Sequence, residues 1–190
     1  MTAKAEQKLA KRISEGDSEA MKTLYDEYAG YLTAVCSRYI DSREDIKDLM
    51  QESFVKIFSG MGSFEFRGKG SLKAWMGRIV ANVSLKHLKE AASRGTISLQ
   101  DNLPDIKEEE AEMPEISGIP PEVIHNMIRK LPPGYRTVFN MFVFEDLSHK
   151  EIAEILGIKE NSSASQLHRA KSLLANWIRE YVTGNHVQKK

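Results

Sequence analysis

The side chains best suited to binding chemistry lie in residues 148–171, SHKEIAEILGIKENSSASQLHRAK. Hydroxyl and amide groups can bond base edges or phosphates, and cationic groups bind phosphates. All of the candidate groups except Lys171 fall towards the N-terminal half of one predicted helix, off its apolar stripe, where a DNA-reading helix meets base edges. The five candidates are Ser162, Ser165, Gln166, Arg169 and Lys171.

The elements that must position these groups form a predicted helix-turn-helix. Ser148 and Glu151 predict a capping box at the start of the first helix. Ala153 is small enough for a close helix crossing, and Gly157, four residues later, supplies a left-handed turn. The inward stripe of the second helix is Leu167, Ala170 and Leu174. An ordinary helical hairpin with a solvated polar face has the same spacing, so the motif alone leaves both interpretations open.

A more basic stretch surrounds a helix predicted to begin at Ser71. Residues 63–94 hold seven bases and two acids. Cations beside aromatic rings suit single-stranded nucleic acid, because the cations bind phosphates and the rings stack on bases. The alternative is a solvated face beside core aromatics, and we expect Trp75, on the apolar stripe, to be core. The candidates are Phe64, Arg67 and Lys69 in a loop, and Arg78, Asn82, Lys86 and Lys89 on the helix.

An acidic row lies on the preceding helix. That helix is predicted to begin near Ser42, with Asp45 as its capping-box partner, and to end at Gly60. The row consists of Asp45, Asp48 and Glu52, with Gln51 beside them, on one outward face. Such rows are usually solvated. Here the row adjoins a candidate nucleic-acid surface that it would repel, which indicates a basic protein partner.

Apolar residues recur at spacings of three and four in both halves of the chain, and no strand pattern competes. The sequence therefore predicts an all-α protein of two small helical domains, the second containing the helix-turn-helix. Residues 95–117 carry seven acids against one base and include two prolines, which predicts an acidic flexible linker. The expected domains are residues 1–94 and 120–190, with the linker over 95–119.

Composition excludes several classes of protein. The 27 basic and 27 acidic residues leave no global charge to attract nucleic acid, and the one cysteine, Cys36, is expected to be a small buried residue. We expect a cytoplasmic protein without membrane insertion, because no signal peptide or long apolar run is present. The histidines are scattered, and residues 67–71, RGKGS, fail as a phosphate-binding loop. No catalytic residue, metal or cofactor is therefore expected.

Three segments together resemble one family. DIKDLMQESFVKIF, GSLKAWMGRIVANVSLKHLKE, and LPPGYRTVFNMFVFEDLSHKEIAEILGI followed by SSASQLHRAK are similar, in order and spacing, to the bacterial RNA polymerase sigma factors of the extracytoplasmic-function (ECF) type. The resemblance covers residues 19–177 except the linker. Ala81, Ser163, Ala164 and Gln166 depart from residues common in the family, which weakens any inference of the DNA sequence read. We expect the Ser163 hydroxyl to bond back to the preceding turn.

The resemblance implies roles for the candidate residues. Asp45, Asp48, Gln51 and Glu52 would bind the coiled coil of the polymerase clamp. The loop of residues 64–70 would capture a flipped base of the -10 promoter element, with Arg78 and Asn82 beside it. The helix from Ser162 would read the -35 element, and the acidic linker would thread polymerase channels. An anti-sigma factor is a further expected partner, and the polymerase would perform all the chemistry.

Two other classes of protein stay open at this point. A free-standing regulator would combine the helix-turn-helix with a sensing or dimerising domain and would bind dyad-symmetric sites as a dimer. A helical adaptor would make no DNA contact. Neither class accounts for the acidic row together with the basic aromatic loop. A sigma factor need not be strongly basic, because the polymerase supplies much of the grip on DNA.

Overall fold

The computed structural model describes residues 1–96 and 114–187, with side chains to residue 184. These residues form helices and connecting turns with no β-strand among them, so the all-α prediction is confirmed. Two compact units divide the chain, Met1–Glu90 and Ala91–Lys190. Most of the predicted linker, residues 97–113, lies outside the described residues, and the bounds of the two domains and the linker stay a prediction.

Four α-helices and a short 3-10 helix build the N-terminal part. They are α1 (Ala3–Ser14), α2 (Ser18–Cys36), α3 (Arg43–Gly60), the 3-10 helix Met61–Ser63, and α4 (Ser71–Ser93). Asp17 caps α2: its carboxylate accepts the Ala20 N–H at 3.0 Å. That backbone hydrogen bond has the largest effect in lowering the pKa of Asp17, and a hydrogen bond from the Arg12 side chain lowers it further. The cap therefore stays ionised well into the acidic range.

The start of α3 differs from the prediction in one respect. The Ser42 hydroxyl accepts the Asp45 N–H at 3.2 Å, which is the first half of the expected capping box. The Asp45 carboxylate does not complete the box; its Oδ2 lies 3.9 Å from Nε2 of His87 on α4. Asp45 thus connects two helices as well as starting one. The helix ends at Gly60, as predicted.

The core of the N-terminal unit is mainly apolar and includes a buried cysteine. Cys36 is completely buried and its sulfur lies 3.5 Å from the Ser84 hydroxyl on α4. Burial raises the pKa of the Cys36 thiol, so the sulfur stays protonated and inert. The expectation of a small buried residue is confirmed. Other fully enclosed residues are Leu24, Leu32, Ile57, Leu72 and Met76.

The C-terminal unit contains four further helices. They are α5 (Pro121–Lys130), α6 (Pro133–Val143), α7 (His149–Leu156) and α8 (Glu160–Val187). The long α8 contacts each of the other three, so it forms the centre of the unit. Buried Arg136 on α6 donates from Nη1 to the Arg129 carbonyl at 2.8 Å, which fixes α6 to the end of α5. No helix within the described part of the chain is long and apolar enough to cross a membrane.

Candidate functional sites

The helix-turn-helix prediction is confirmed in its local geometry. The Ser148 hydroxyl accepts the Glu151 N–H at 3.3 Å, and the Glu151 carboxylate accepts the Ser148 N–H at 2.8 Å. Gly157 has φ +68°, a left-handed conformation that ends α7. A residue with a Cβ atom adopts this conformation only at a cost in energy, whereas glycine does not. Ala153 on α7 is buried, and α7 packs against α8. These features fix the direction in which α8 leaves the turn.

A polar contact between α7 and α8 was not predicted. Ser163 is fully buried, and its Oγ lies 3.0 Å from Nδ1 of His149 on α7. The expected bond from Ser163 back to its own helix is therefore wrong. The His149 ring also stacks on Phe142 of α6, with ring centroids 5.0 Å apart. A buried hydroxyl bonded across the motif fixes the register of the two helices.

The outward face of α8 is narrower than the sequence predicted. Ser165 is exposed and Ser162 half-buried, but Gln166 is only 2% exposed, so its placement off the core is wrong. Because α8 packs against three helices, its buried arc extends past the stripe of Leu167 and Ala170 to include Gln166. A side chain enclosed in this way cannot reach a base edge.

Two candidate cations border this face rather than projecting from it. Nη1 of Arg169 lies 3.4 Å from the Tyr135 hydroxyl, and Nζ of Lys171 lies 5.6 Å from the centre of the Phe142 ring. Both side chains are half-buried. Both charges remain partly open to solvent, where cations of this kind can meet phosphates.

Two further residues share the face with Ser165 and were missed. Asn161, four residues before it, is exposed, and His168, three residues after it, is half-exposed. Both carry groups that can bond bases or phosphates. A helical projection centred on Ser165 would have found them, since these spacings place all three side chains on one side of α8.

The basic face of α4 projects into solvent. Arg78, Asn82, Lys86 and Lys89 are all exposed, as the sequence predicted. Nζ of Lys86 lies 3.8 Å from the Glu90 carboxylate, an exposed pair worth little energy. Four polar side chains, three of them cationic, therefore extend over about three turns of one helix.

An aromatic loop, residues 64–70, precedes this helix. The Phe64 and Trp75 rings are 5.2 Å apart, and both are half-buried. The assignment of Trp75 to the core is wrong, because its ring lies over Gly60 at the end of α3 and stays partly open to solvent. Lys69 is exposed, and Arg67 pairs with Glu65 at 3.0 Å while both side chains remain largely exposed. Ring surface and cations thus stand together at the beginning of α4.

The acidic row on α3 faces outward except at its first residue. Asp48 and Gln51 are exposed, while Asp45 is half-buried beside His87. Glu52 pairs with Lys56 at 2.8 Å, and that hydrogen bond lowers the Glu52 pKa, so the carboxylate is charged at neutral pH. Val55, at 66% exposed, lies on the same face, three residues after Glu52. The row therefore combines negative charge with an open apolar side chain that the sequence analysis missed.

Comparison with known proteins identifies the family. The model described as Sigma-70 region 2 matches residues 24–94, and the model described as Sigma-70, region 4 matches residues 122–174. The chain belongs to the sigma-70 family, in its ECF group. The acidic row, the aromatic loop and the basic face fall within the region 2 match, and the helix-turn-helix falls within the region 4 match.

Several ECF sigma factors resemble the chain over almost its full length. The sigma-E factor of Haemophilus influenzae is 29% identical over 184 residues, which are 91% of this chain and 95% of that protein. SigW of Bacillus subtilis is 26% identical, over 91% of this chain and 96% of its own length. A solved structure of CnrH, in complex with the cytosolic domain of CnrY, covers 93% of this chain and 98% of that chain, at 19% identity and a TM-score of 0.49.

This sigma factor therefore acts in promoter-specific initiation of transcription, with RNA polymerase and promoter DNA as its partners. Family membership removes the free-standing regulator and the adaptor as alternatives. Family membership alone assigns no role to individual side chains.

Proposed function

We propose that the surfaces described above divide the work of initiation among them. The acidic row binds the coiled coil of the polymerase clamp, the aromatic loop and basic face bind the melted -10 element, and α8 reads the -35 element. The observation that carries this proposal is the segregation of charge within the N-terminal unit. Carboxylates occupy one exposed face of α3, while cations occupy α4 and the loop before it.

In the polymerase contact, the carboxylates of the acidic row face basic groups of the clamp, and a small apolar centre lies beside them. Asp48 and Glu52 lie four residues apart, so both carboxylates reach one side of α3. Val55 lies beside them and would lose its water on binding. Gln51 adds hydrogen-bonding groups at the edge of the row. Asp45 is half-buried, so only the exposed part of its side chain can contact the clamp.

The -10 contact needs unpaired bases and a phosphate backbone. Phe64 offers ring surface at the loop, and Arg67 and Lys69 lie close to it in the chain with their charged groups exposed. The basic face of α4 extends this surface along one strand, where each cation can neutralise a phosphate. The polymerase performs the chemistry, and the sigma factor itself has no enzymatic activity.

The -35 contact is lightly charged. Ser162, Ser165, Arg169 and Lys171 are the candidates that the structure leaves accessible at the surface of α8. Few phosphate contacts mean weak binding in the free state, because cation–phosphate pairs supply most of the affinity of DNA-binding proteins. The free protein therefore binds duplex promoter weakly, and specificity emerges in the holoenzyme. We also assign the protein to the cytoplasm, and an anti-sigma partner stays a prediction.

Replacing Arg78 and Asn82 together with alanine tests the -10 assignment. Promoter melting should fall about tenfold or more, because a cation and an amide facing the displaced strand are lost. Permanganate reactivity of unpaired thymines in the holoenzyme–promoter complex measures melting. The matched control is Gln7→Ala with Lys8→Ala, which removes the same kinds of group from exposed positions on α1. Equal melting by both variants, with equal polymerase binding, would refute the assignment.

A further inference from the structure

Helix α1 carries a charged residue that is buried against the aromatic loop. Glu6 is 2% exposed, although α1 is otherwise amphipathic and buries Leu9, Ala10 and Ile13. Neither family match includes α1, since the region 2 match begins at residue 24. A buried carboxylate is costly unless it is satisfied by hydrogen bonds, so its partners indicate its purpose.

Both carboxylate oxygens of Glu6 accept backbone hydrogen bonds from the end of the loop. Oε2 accepts the Gly70 N–H at 2.8 Å, and Oε1 accepts the Leu72 N–H at 2.7 Å. These partners are 64 and 66 residues away in the chain. Hydrogen bonds to an ionised acceptor are about twice as strong as neutral ones, and a negative charge at a helix N-terminus is further favoured. Glu6 therefore joins α1 to the junction between the loop and α4.

The C-terminal end of the loop gains an external attachment from Glu6. Gly68 has φ +119° and Gly70 has φ +89°. Glycine adopts these and many other backbone conformations at little cost in energy. The Ser71 hydroxyl donates to the Gly68 carbonyl at 2.7 Å and accepts the Arg67 N–H at 3.2 Å, but these contacts lie within the loop and its adjoining residue. They shape the turn without fixing its position relative to the other helices.

We propose that Glu6 is a positioning residue for promoter recognition: it holds the aromatic loop in place to capture the unpaired base. This inference rests on the proposed function of the loop. Glu6 touches no DNA; it acts through the Gly70 and Leu72 amides. Its loss should leave α3 and polymerase binding intact while loosening the loop, so that ordering the loop on DNA costs additional entropy.

The test compares Glu6→Gln with Glu15→Gln, which removes the same charge from an exposed position at the C-terminal end of α1. In E6Q the side chain keeps one acceptor oxygen but turns an amide N–H₂ towards the other backbone donor. In the free protein, hydrogen exchange at the Gly70 and Leu72 amides should accelerate about tenfold in E6Q and stay unchanged in E15Q. Amides of α3 should be equally protected in both variants.

The functional readout is binding of holoenzyme to a fluorescent single-stranded oligonucleotide. The oligonucleotide carries the non-template -10 segment of a promoter mapped with the wild-type protein. We expect E6Q to bind it about tenfold more weakly, and to discriminate less against a substituted -10 base, at unchanged affinity for core polymerase. Glu6→Asp, which keeps the charge but is shorter, provides a second variant and should fall between wild type and E6Q.

A parallel variant separates the two ways in which this account can fail. Arg67→Ala with Lys69→Ala removes the loop cations while leaving Glu6 in place. If that variant binds the oligonucleotide weakly but E6Q and E6D bind it as E15Q does, the role of Glu6 is refuted and the loop assignment stands. If the loop variant also binds normally, the loop assignment falls, and the role of Glu6 falls with it. Unchanged exchange at Gly70 and Leu72 in E6Q would by itself overturn the positioning role.

Discussion

The Asp48→Arg, Glu52→Arg double variant is expected to bind core RNA polymerase about a hundredfold more weakly than the wild-type chain. Both side chains lie on one exposed face of α3, and Glu52 is kept ionised by Lys56. Reversing both charges replaces attraction to a basic partner with repulsion, at a cost of about 3 kcal/mol. Co-purification and titration of labelled sigma factor with core enzyme measure the loss.

A matched control separates the acidic row from net charge. Glu15→Arg with Glu27→Arg makes the same change in charge at exposed positions, just after the end of α1 and on α2. Circular dichroism should show that both double variants keep their helices. If the α3 variant retains normal polymerase binding, or if the control loses binding equally, the acidic row is not the docking surface.

The Ser165→Glu variant should transcribe about thirtyfold less from a promoter that depends on its -35 element. Ser165 is at the centre of the outward face of α8, with Asn161 and His168 on the same side. A carboxylate there would face bases and phosphates, at a cost of about 2 kcal/mol. Single-round transcription with reconstituted holoenzyme gives the measurement.

The same helix offers the control for this variant. Asn176→Glu places the same carboxylate farther along α8, where Asn176 is exposed and accepts a bond from Arg179 at 3.0 Å. We expect N176E to transcribe normally, since a new charge beside Arg179 is tolerated. Equal activity of S165E and N176E would show that this face of α8 does not meet the -35 element.

Local signals in the sequence were sufficient for several of the helix ends. Asp17 and Ser42 cap helices because a short polar side chain can reach the backbone three residues on, whatever packs around it. Gly157 ends α7 because glycine alone enters the left-handed region freely. These features depend on residues only a few positions apart, so a short stretch of sequence contains all of the relevant chemistry.

The features that the sequence did not reveal depend on tertiary packing. Gln166 was placed on the surface because periodicity gives the centre of a buried stripe but not its width. The width follows from the number of helices around α8. Ser163 bonds His149 on a neighbouring helix, and Glu6 reaches amides 64 and 66 residues away. Partners of this kind are fixed only once the helices have been assembled.

The balanced composition is explained by where the charges lie. Residues 95–117 hold seven acids against one base, whereas residues 1–94 and residues 118–190 are each mildly basic. Within the N-terminal unit the charges are separated again, between the α3 row and the α4 face. Neutral net charge therefore conceals two surfaces of opposite sign, one suited to a basic protein and one to nucleic acid.

Mapping of transcript 5′ ends tests the central claim most directly. Purified core polymerase is incubated with genomic DNA with and without the wild-type protein, and the ends of the RNA products are sequenced. We predict new start sites that require the protein, share two upstream sequence elements, and disappear with the D48R/E52R variant. The absence both of a complex with core enzyme and of any new start site would contradict the account.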